Sequence, residues 1–234
     1  MNDYLSRVAI LLGNENVEKL KQARVLLFGV GGVGSWCAEC LVRSGIGHIT
    51  IVDNDVVVPS NINRQLPATT ATVGRAKVEV LKERLAEISP DAEINTVYKR
   101  FTAETASQFN LNDYDFIIDA IDSVADKALL IELATRSTAR LFSSMGAALK
   151  MNPSRIQVAE FYKVKGCPLA RALRQRFKRT KIFPAKKFKC VFSDELLTNR
   201  QPDPTDSGNG SMMHITAIFG LTLASMVISD ITGF

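Results

Sequence analysis

The sequence predicts an α/β fold: a doubly wound, mostly parallel sheet with antiparallel additions toward the C-terminus. Three observations predict it. An apolar run, Val25 to Phe28, ends in four glycines within six positions, Gly29, Gly31, Gly32 and Gly34, ahead of a helix-compatible run from Trp36 to Arg43. Short β-type runs and helical runs then alternate to about residue 147, the pattern of parallel strands joined by helical crossovers. Beyond Lys150 the pattern changes to an alternating stretch, Ile156 to Phe161, suited to an antiparallel strand.

Asn14 to Ala23 reads as a short helix leading into the first strand. The first strand–helix–strand unit covers residues 23–53, its second strand running from Ile49 to Val52. Residues 54–65 are too rich in Asn to be regular. Val78, Leu81, Leu85 and Ile88 fall at helical spacing and predict a helix from Val73 to Ile88, which Pro90 stops. A strand from Ile94 to Tyr98, a short helix from Ala103 to Phe109 and a buried strand from Asp115 to Asp119 follow. Next come a helix from Lys127 to Ser137 and a strand from Arg140 to Ser144. The whole chain, 1–234, reads as one domain, without internal repeats, in which residues 163–200 form a basic crossover segment.

The strand, glycine turn and helix bring backbone N–H groups and the positive end of a helix dipole to one place, which suits a phosphate. Asp53 closes the second strand 24 residues after Gly29, near the offset of a ribose-hydroxyl acceptor in Rossmann-like units. Ligands of such sheets lie at the carboxyl ends of the strands. Gly29, Asp53, Asp122 and Met145-Gly146 all follow strand ends and are therefore expected to share one crevice.

Composition is that of a globular chain, with 46% hydrophobic and 23% charged residues. The N-terminal residues lack a signal-peptide cleavage pattern, and the compartment reads as cytoplasmic. Cys37 and Cys40 lie three apart on one helix face and read as buried thiols; without a second C-x-x-C there is no zinc framework. The net charge of +5 is unevenly spread. The 33 residues between Glu160 and Asp194 hold eleven of the 29 Lys and Arg and no acid, so the remainder of the chain is acidic. Met212 to Ser229 is free of Asp, Glu, Lys and Arg, which reaches the lower length for a membrane span. His214, Thr216, Gly220, Thr222 and Ser225 interrupt it, so a helix in the core or at a dimer interface is the preferred reading, with peripheral membrane association as the other.

Five motifs in order, Gly29 to Gly34, Asp53, Asn61-Ile62-Asn63-Arg64-Gln65, Val73-Gly74-Arg75-Ala76-Lys77 and Asp119-Ala120-Ile121-Asp122, resemble the adenylating superfamily of ubiquitin-activating enzymes. That superfamily includes the molybdopterin- and thiamine-biosynthesis adenylyltransferases. Asp119 to Ser123, Cys167-Pro168-Leu169-Ala170 and Cys190-Val191-Phe192-Ser193 resemble its tRNA threonylcarbamoyladenosine dehydratase branch. The resemblance implies ATP and Mg²⁺ as cofactors and cyclisation of threonylcarbamoyladenosine in tRNA through an adenylated carboxylate. By similarity, Arg64 and Lys77 hold phosphates, Asp53 the ribose and Asp122 the Mg²⁺, while Asn61 and Gln65 shape the pocket. Arg7 matches an arginine that reaches the ATP of a neighbouring subunit, which implies a homodimer. Plain alternatives stand beside these roles: Arg64 and Lys77 as solvated charges, and Asp122 as a helix cap.

Pro168 opens a helix in which Leu169, Leu173 and Phe177 share one face and Arg171, Arg174 and Lys178 lie opposite. With Lys181, Lys186 and Lys187 this makes a candidate RNA-binding element, the other reading being a solvated face. Cys167 and Cys190 read as packing residues rather than thioester-forming nucleophiles. The competing functions are an adenylyltransferase for the C-terminus of a ubiquitin-like sulfur carrier, with a sulfur-transfer protein as partner, a nicotinamide-dependent oxidoreductase, and a non-catalytic RNA-binding protein.

Overall fold

The computed structural model describes residues 3–201 and 208–234. Helices α1 (Ser6–Leu12) and α2 (Asn14–Gln22) precede β1 (Arg24–Phe28), which the glycine turn joins to α3 (Gly34–Arg43) and β2 (His48–Asp53). Then come α4 (Lys77–Ile88), β3 (Glu93–Tyr98), β4 (Phe116–Asp119), α5 (Val124–Arg136) and β5 (Arg140–Ser144). The C-terminal part adds β6 (Ile156–Glu160), α6 (Pro168–Thr180), β7 (Lys189–Ser193) and α7 (Met213–Thr232). One seven-stranded sheet results, in the order β3-β2-β1-β4-β5-β7-β6. All pairings are parallel except β6 with β7, so the predicted parallel sheet with an antiparallel addition is what forms.

Alternation along β1 divides the core. Val25 and Leu27 face α3, α4 and α7, whereas Leu26 and Phe28 face α5 and α6. Helices thus cover both faces, and the central strands are apolar on both sides as a parallel sheet requires. Each fully buried Leu of β1 contributes about 1.5–3 kcal/mol from apolar burial.

Helix α7 is long and apolar enough to cross a membrane by length and composition alone. Here it packs against α3. A Cβ on Gly220 would lie 2.3 Å from the Val33 carbonyl oxygen, so only glycine allows so close an approach. Ile215, Phe219, Leu223 and Val227 are buried along the same helix.

Several boundaries differ from the sequence expectation. The predicted helix from Val73 starts at Lys77, because Gly74, Arg75 and Ala76 pair instead with the loop after β2. Gly74 N donates to Val57 O and Val57 N to Arg75 O, and an isolated bridge joins Val56 to Ala76. The predicted helix from Ala103 to Phe109 shrinks to a single 3₁₀ turn, Ala106–Gln108, while Thr105 turns its hydroxyl onto the Arg100 carbonyl. Helix α1 and strand β7 have no counterpart in the sequence-level segmentation.

A candidate nucleotide crevice

A crevice of about 770 Å³ opens at the carboxyl ends of β1, β2, β4 and β5. Gly29, Asp53, Asp122, Met145 and Gly146 all line it, as their positions after strand ends predict. The glycine loop is its centre. Gly29 sits at φ +86° and a Cβ there would stand 2.8 Å from the Ala120 carbonyl oxygen, so the turn requires glycine twice over. Gly31 and Gly32 line the crevice beside it. Gly34 does not. A Cβ on Gly34 would fall 1.8 Å from the Gly29 carbonyl oxygen, so its role is to let α3 pack onto the turn, not to touch a ligand.

Polar side chains converge on this loop. Asp53 accepts from the backbone N–H of Val30 at 2.7 Å and of Asp55 at 2.9 Å. Burial pushes its carboxyl above the ordinary range, while those two N–H groups pull it back. Lys77 is only 4% exposed, and its ammonium pairs with Asp55 at 2.7 Å. A solvated surface charge would not be buried in this way. Arg64 is half-buried and donates to the Ser60 carbonyl and to Asn63 Oδ1. Asn61 is buried and accepts from Val58 N.

Gln65 is buried, and its Oε1 has no hydrogen-bond partner among the described residues. A buried acceptor of this kind costs stability unless a donor reaches it. The site therefore combines an orphaned acceptor, a glycine cradle at a helix N-terminus and two cations. A nucleotide carrying hydroxyl donors and phosphates fits that combination. Phe28, Val52, Phe101 and Ile121 add an apolar wall. Among the described residues no three His, Cys, Asp or Glu side chains converge as a metal cage. Mg²⁺ commonly takes one or two carboxylates plus substrate phosphates, and the exposed Asp122 is chemically suited to that.

Beneath the loop that carries Asp122 lies a buried network absent from the sequence-level reading. Asp119 pairs with Lys127 at 2.8 Å, both side chains fully buried. Asp119 also accepts from Ser143 Oγ and from Ile121 N, while Lys127 donates to the Ile121 carbonyl. The 120–122 turn is thereby tied at both its amide and its carbonyl.

Comparison with known proteins agrees with this architecture. Residues 5–234 match the ThiF family. The chain belongs to that family. It is 36% identical to the tRNA threonylcarbamoyladenosine dehydratase of Bacillus subtilis, over 99% of this chain and 95% of that protein. It is 37% identical to the enzyme of the same name from Escherichia coli, over 93% and 89%. The crystal structure of E. coli tRNA N6-threonylcarbamoyladenosine dehydratase, TcdA, in complex with ATP superimposes with a TM-score of 0.89 at 35% identity, covering 98% of this chain and 94% of that one. The similarity to adenylyltransferase and sulfurtransferase MOCS3 of Culex quinquefasciatus is shorter, 37% over 62% of this chain and 33% of that protein.

Other anticipated residues of this ThiF-family chain lie outside the crevice. Arg7, on α1, is exposed and does not line it, and its side chain makes no hydrogen bond or ion pair among the described residues. Arg171, Lys178, Lys181 and Lys187 are exposed along and after α6. Arg174 is not part of that free face: its guanidinium donates to the Phe161 and Val164 carbonyls and stands over the Phe161 ring. The Lys186 ammonium likewise bonds to the Ser137 carbonyl. Cys37, Cys167 and Cys190 are buried, and burial raises the thiol pKa of Cys40 and, much further, those of Cys37 and Cys190. Lys99, Arg100, Ala147 and Thr216 line the crevice unanticipated. The position of Lys99-Arg100 immediately after β3 was the available signal.

Proposed function

We propose that this chain is an ATP-dependent tRNA threonylcarbamoyladenosine dehydratase. The supporting observation is the 36–37% identity, over nearly the full length of both chains, to enzymes of that name, combined with a crevice whose chemistry fits a nucleoside triphosphate. ATP supplies the activation: the threonyl carboxylate oxygen attacks its α-phosphate, pyrophosphate leaves, and closure of the ring by the carbamoyl oxygen expels AMP.

The chain's own residues prepare this. Backbone N–H groups of the glycine loop and the α3 N-terminus face the phosphates. Arg64 and the buried Lys77 offset their charge, which matters most as negative charge shifts during transfer. Asp53 accepts from the ribose, and Asp122 would hold a Mg²⁺ whose charge would offset that of the phosphates. Arg7 acts on the crevice of a second copy. Its lack of any partner here and the 77% exposure of Ile10 and Leu11 on the same helix support a homodimer in which α1 is covered. Arg171, Lys178, Lys181 and Lys187 bind tRNA phosphates. Arg174 and Lys186, grouped with them on sequence, shape that element instead.

The deciding experiment is mass analysis of tRNA nucleosides after incubation with protein, ATP and Mg²⁺. Threonylcarbamoyladenosine is expected to lose one water, with one AMP formed per ring closed. AMP release that depends instead on a ubiquitin-like sulfur carrier and leaves the tRNA unchanged would replace this reading with the adenylyltransferase one.

A further inference from the structure

Two adjacent cations line the crevice after β3, two strands away from the glycine loop that ends β1. Lys99 and Arg100 follow β3, are exposed, and line the opening. They are held in place. Phe101, next in sequence, is buried edge-on against Phe28 at 4.9 Å and packs on Phe109 at 5.5 Å. The Lys99 backbone N–H also donates to the Asp53 carbonyl at 3.2 Å.

Strand order fixes what can lie beside them. The glycine loop ends β1, Asp53 ends β2, and Lys99-Arg100 follow β3, so the ribose position lies between the pair and the phosphate cradle. The wall they overhang, Phe28, Val52 and Phe101, suits an uncharged base. Their charge is thus available to a second polyanion. On the far side of the crevice the N-terminus of α6 approaches Gly146, where a Cβ would meet Leu169 Cβ at 3.8 Å. Four strand spacings, about 19 Å, separate the β3 and β5 ends. A nucleotide of a polynucleotide that enters the crevice between these flanks must carry its backbone out on both sides.

We propose that Lys99 and Arg100 form a phosphate-binding rim for tRNA, opposite the basic helix α6, so that the strand is gripped on both flanks of the reacting nucleotide. This rests on the dehydratase reading. The present partners of the pair, Gln108 at the Lys99 ammonium and Asp126 at the Arg100 guanidinium, hold both side chains near the opening and leave donors on each free. Arg100 also offsets Asp126, which faces the same crevice and would otherwise repel a phosphate.

The test compares wild type with Lys99→Gln/Arg100→Gln, and with Lys99→Gln alone in case loss of the Arg100–Asp126 pair impairs folding. KM for ATP, KM for tRNA carrying threonylcarbamoyladenosine, kcat, and tRNA affinity over a salt series are measured. The double variant is expected to raise KM for tRNA about tenfold and to lower the log affinity against log salt slope by roughly 0.7 for each contact to a single strand. KM for ATP and kcat at saturating tRNA stay within about twofold, since the phosphate cradle is separate. A raised KM for ATP with an unchanged salt slope would assign the pair to the base of the nucleotide and overturn the rim. Unchanged values throughout would leave only the contacts to Gln108 and Asp126 and overturn it equally. If wild type forms no cyclic product, the dehydratase reading fails, while the salt slopes still decide whether the rim binds RNA.

Discussion

Lys127 Nζ lies 2.8 Å from Asp119 Oδ2 in the interior of the sheet, with neither side chain reaching solvent. Two opposite charges so buried stay favourable only while both are present, because each offsets the other's desolvation. Lys127→Met should lower stability by about 3–5 kcal/mol, read as a fall in the denaturation midpoint. Lys127→Met/Asp119→Leu should recover much of that loss. It should still turn over ATP poorly, because the Ile121 amide and carbonyl have lost their ties beside Asp122. A double variant as active as wild type would show that the network only supports the fold.

Lys77→Ala and Arg64→Ala should each reduce AMP formation by ~10²-fold or more, as loss of one charge contact in phosphoryl chemistry commonly does. Binding of tRNA should be nearly intact, since neither side chain is on the outer basic surface. Loss of tRNA affinity equal to loss of activity would mean the two sites overlap.

On α6, neighbours of the same charge should behave differently. Arg171→Gln/Lys178→Gln should leave stability unchanged and reduce the salt slope of tRNA binding by about 0.7–0.9 per lost phosphate contact. Arg174→Gln should instead lower the melting temperature, because it removes donors from the Phe161 and Val164 carbonyls. Thermal melts beside binding isotherms over a salt series separate the two effects.

If Arg7 serves a neighbouring crevice, Arg7→Ala and Lys77→Ala proteins should each be nearly inactive alone. Mixed under conditions that allow subunit exchange, they should regain activity, since one crevice of each mixed dimer receives an intact Arg7 and keeps an intact Lys77. Mixing without recovery would place Arg7 in its own crevice or outside the chemistry.

Gly220→Val should be strongly destabilising. Even a Cβ there meets the Val33 carbonyl at 2.3 Å, and overpacking of a tight contact typically costs about 1–3 kcal/mol or more. A variant with wild-type stability would mean that α7 is not seated on α3 in solution.

Most of the sheet and the inner half of the site were legible in the sequence. Each central strand is a short apolar run punctuated by Gly, Asp or Ser; of the residues at those stops Gly29, Asp53 and Ser144 line the crevice, while Asp119 is buried beneath it. Strand β7 was not, because Lys189 to Ser193 follows ten closely spaced cations and alternates too weakly to stand out. It becomes a strand by pairing with β5 and β6, a tertiary effect. Helix α1 was missed for a related reason: its seven residues lack a side-chain cap and bury none of their number. Charge type also misled locally. Sequence spacing puts Arg174 with Arg171 and Lys178, but only the fold places the Phe161 carbonyl within its reach. Lys127 opens the helix that the sequence predicts, and only the fold brings Asp119, in register with Ser143, to it.

The bracing of the glycine loop by α7 has a consequence for biosynthesis. Thr216 lies against Gly32 and Gly220 against Val33, so residues in the last tenth of the chain hold a turn built near its beginning. A chain emerging from the ribosome exposes that turn long before its brace exists. The early strands can pair as they appear, but the cradle takes its final form only when the last helix docks. Capacity to hold ATP is therefore acquired only after α7 has emerged, and a nascent chain stalled before α7 has the motif without the site.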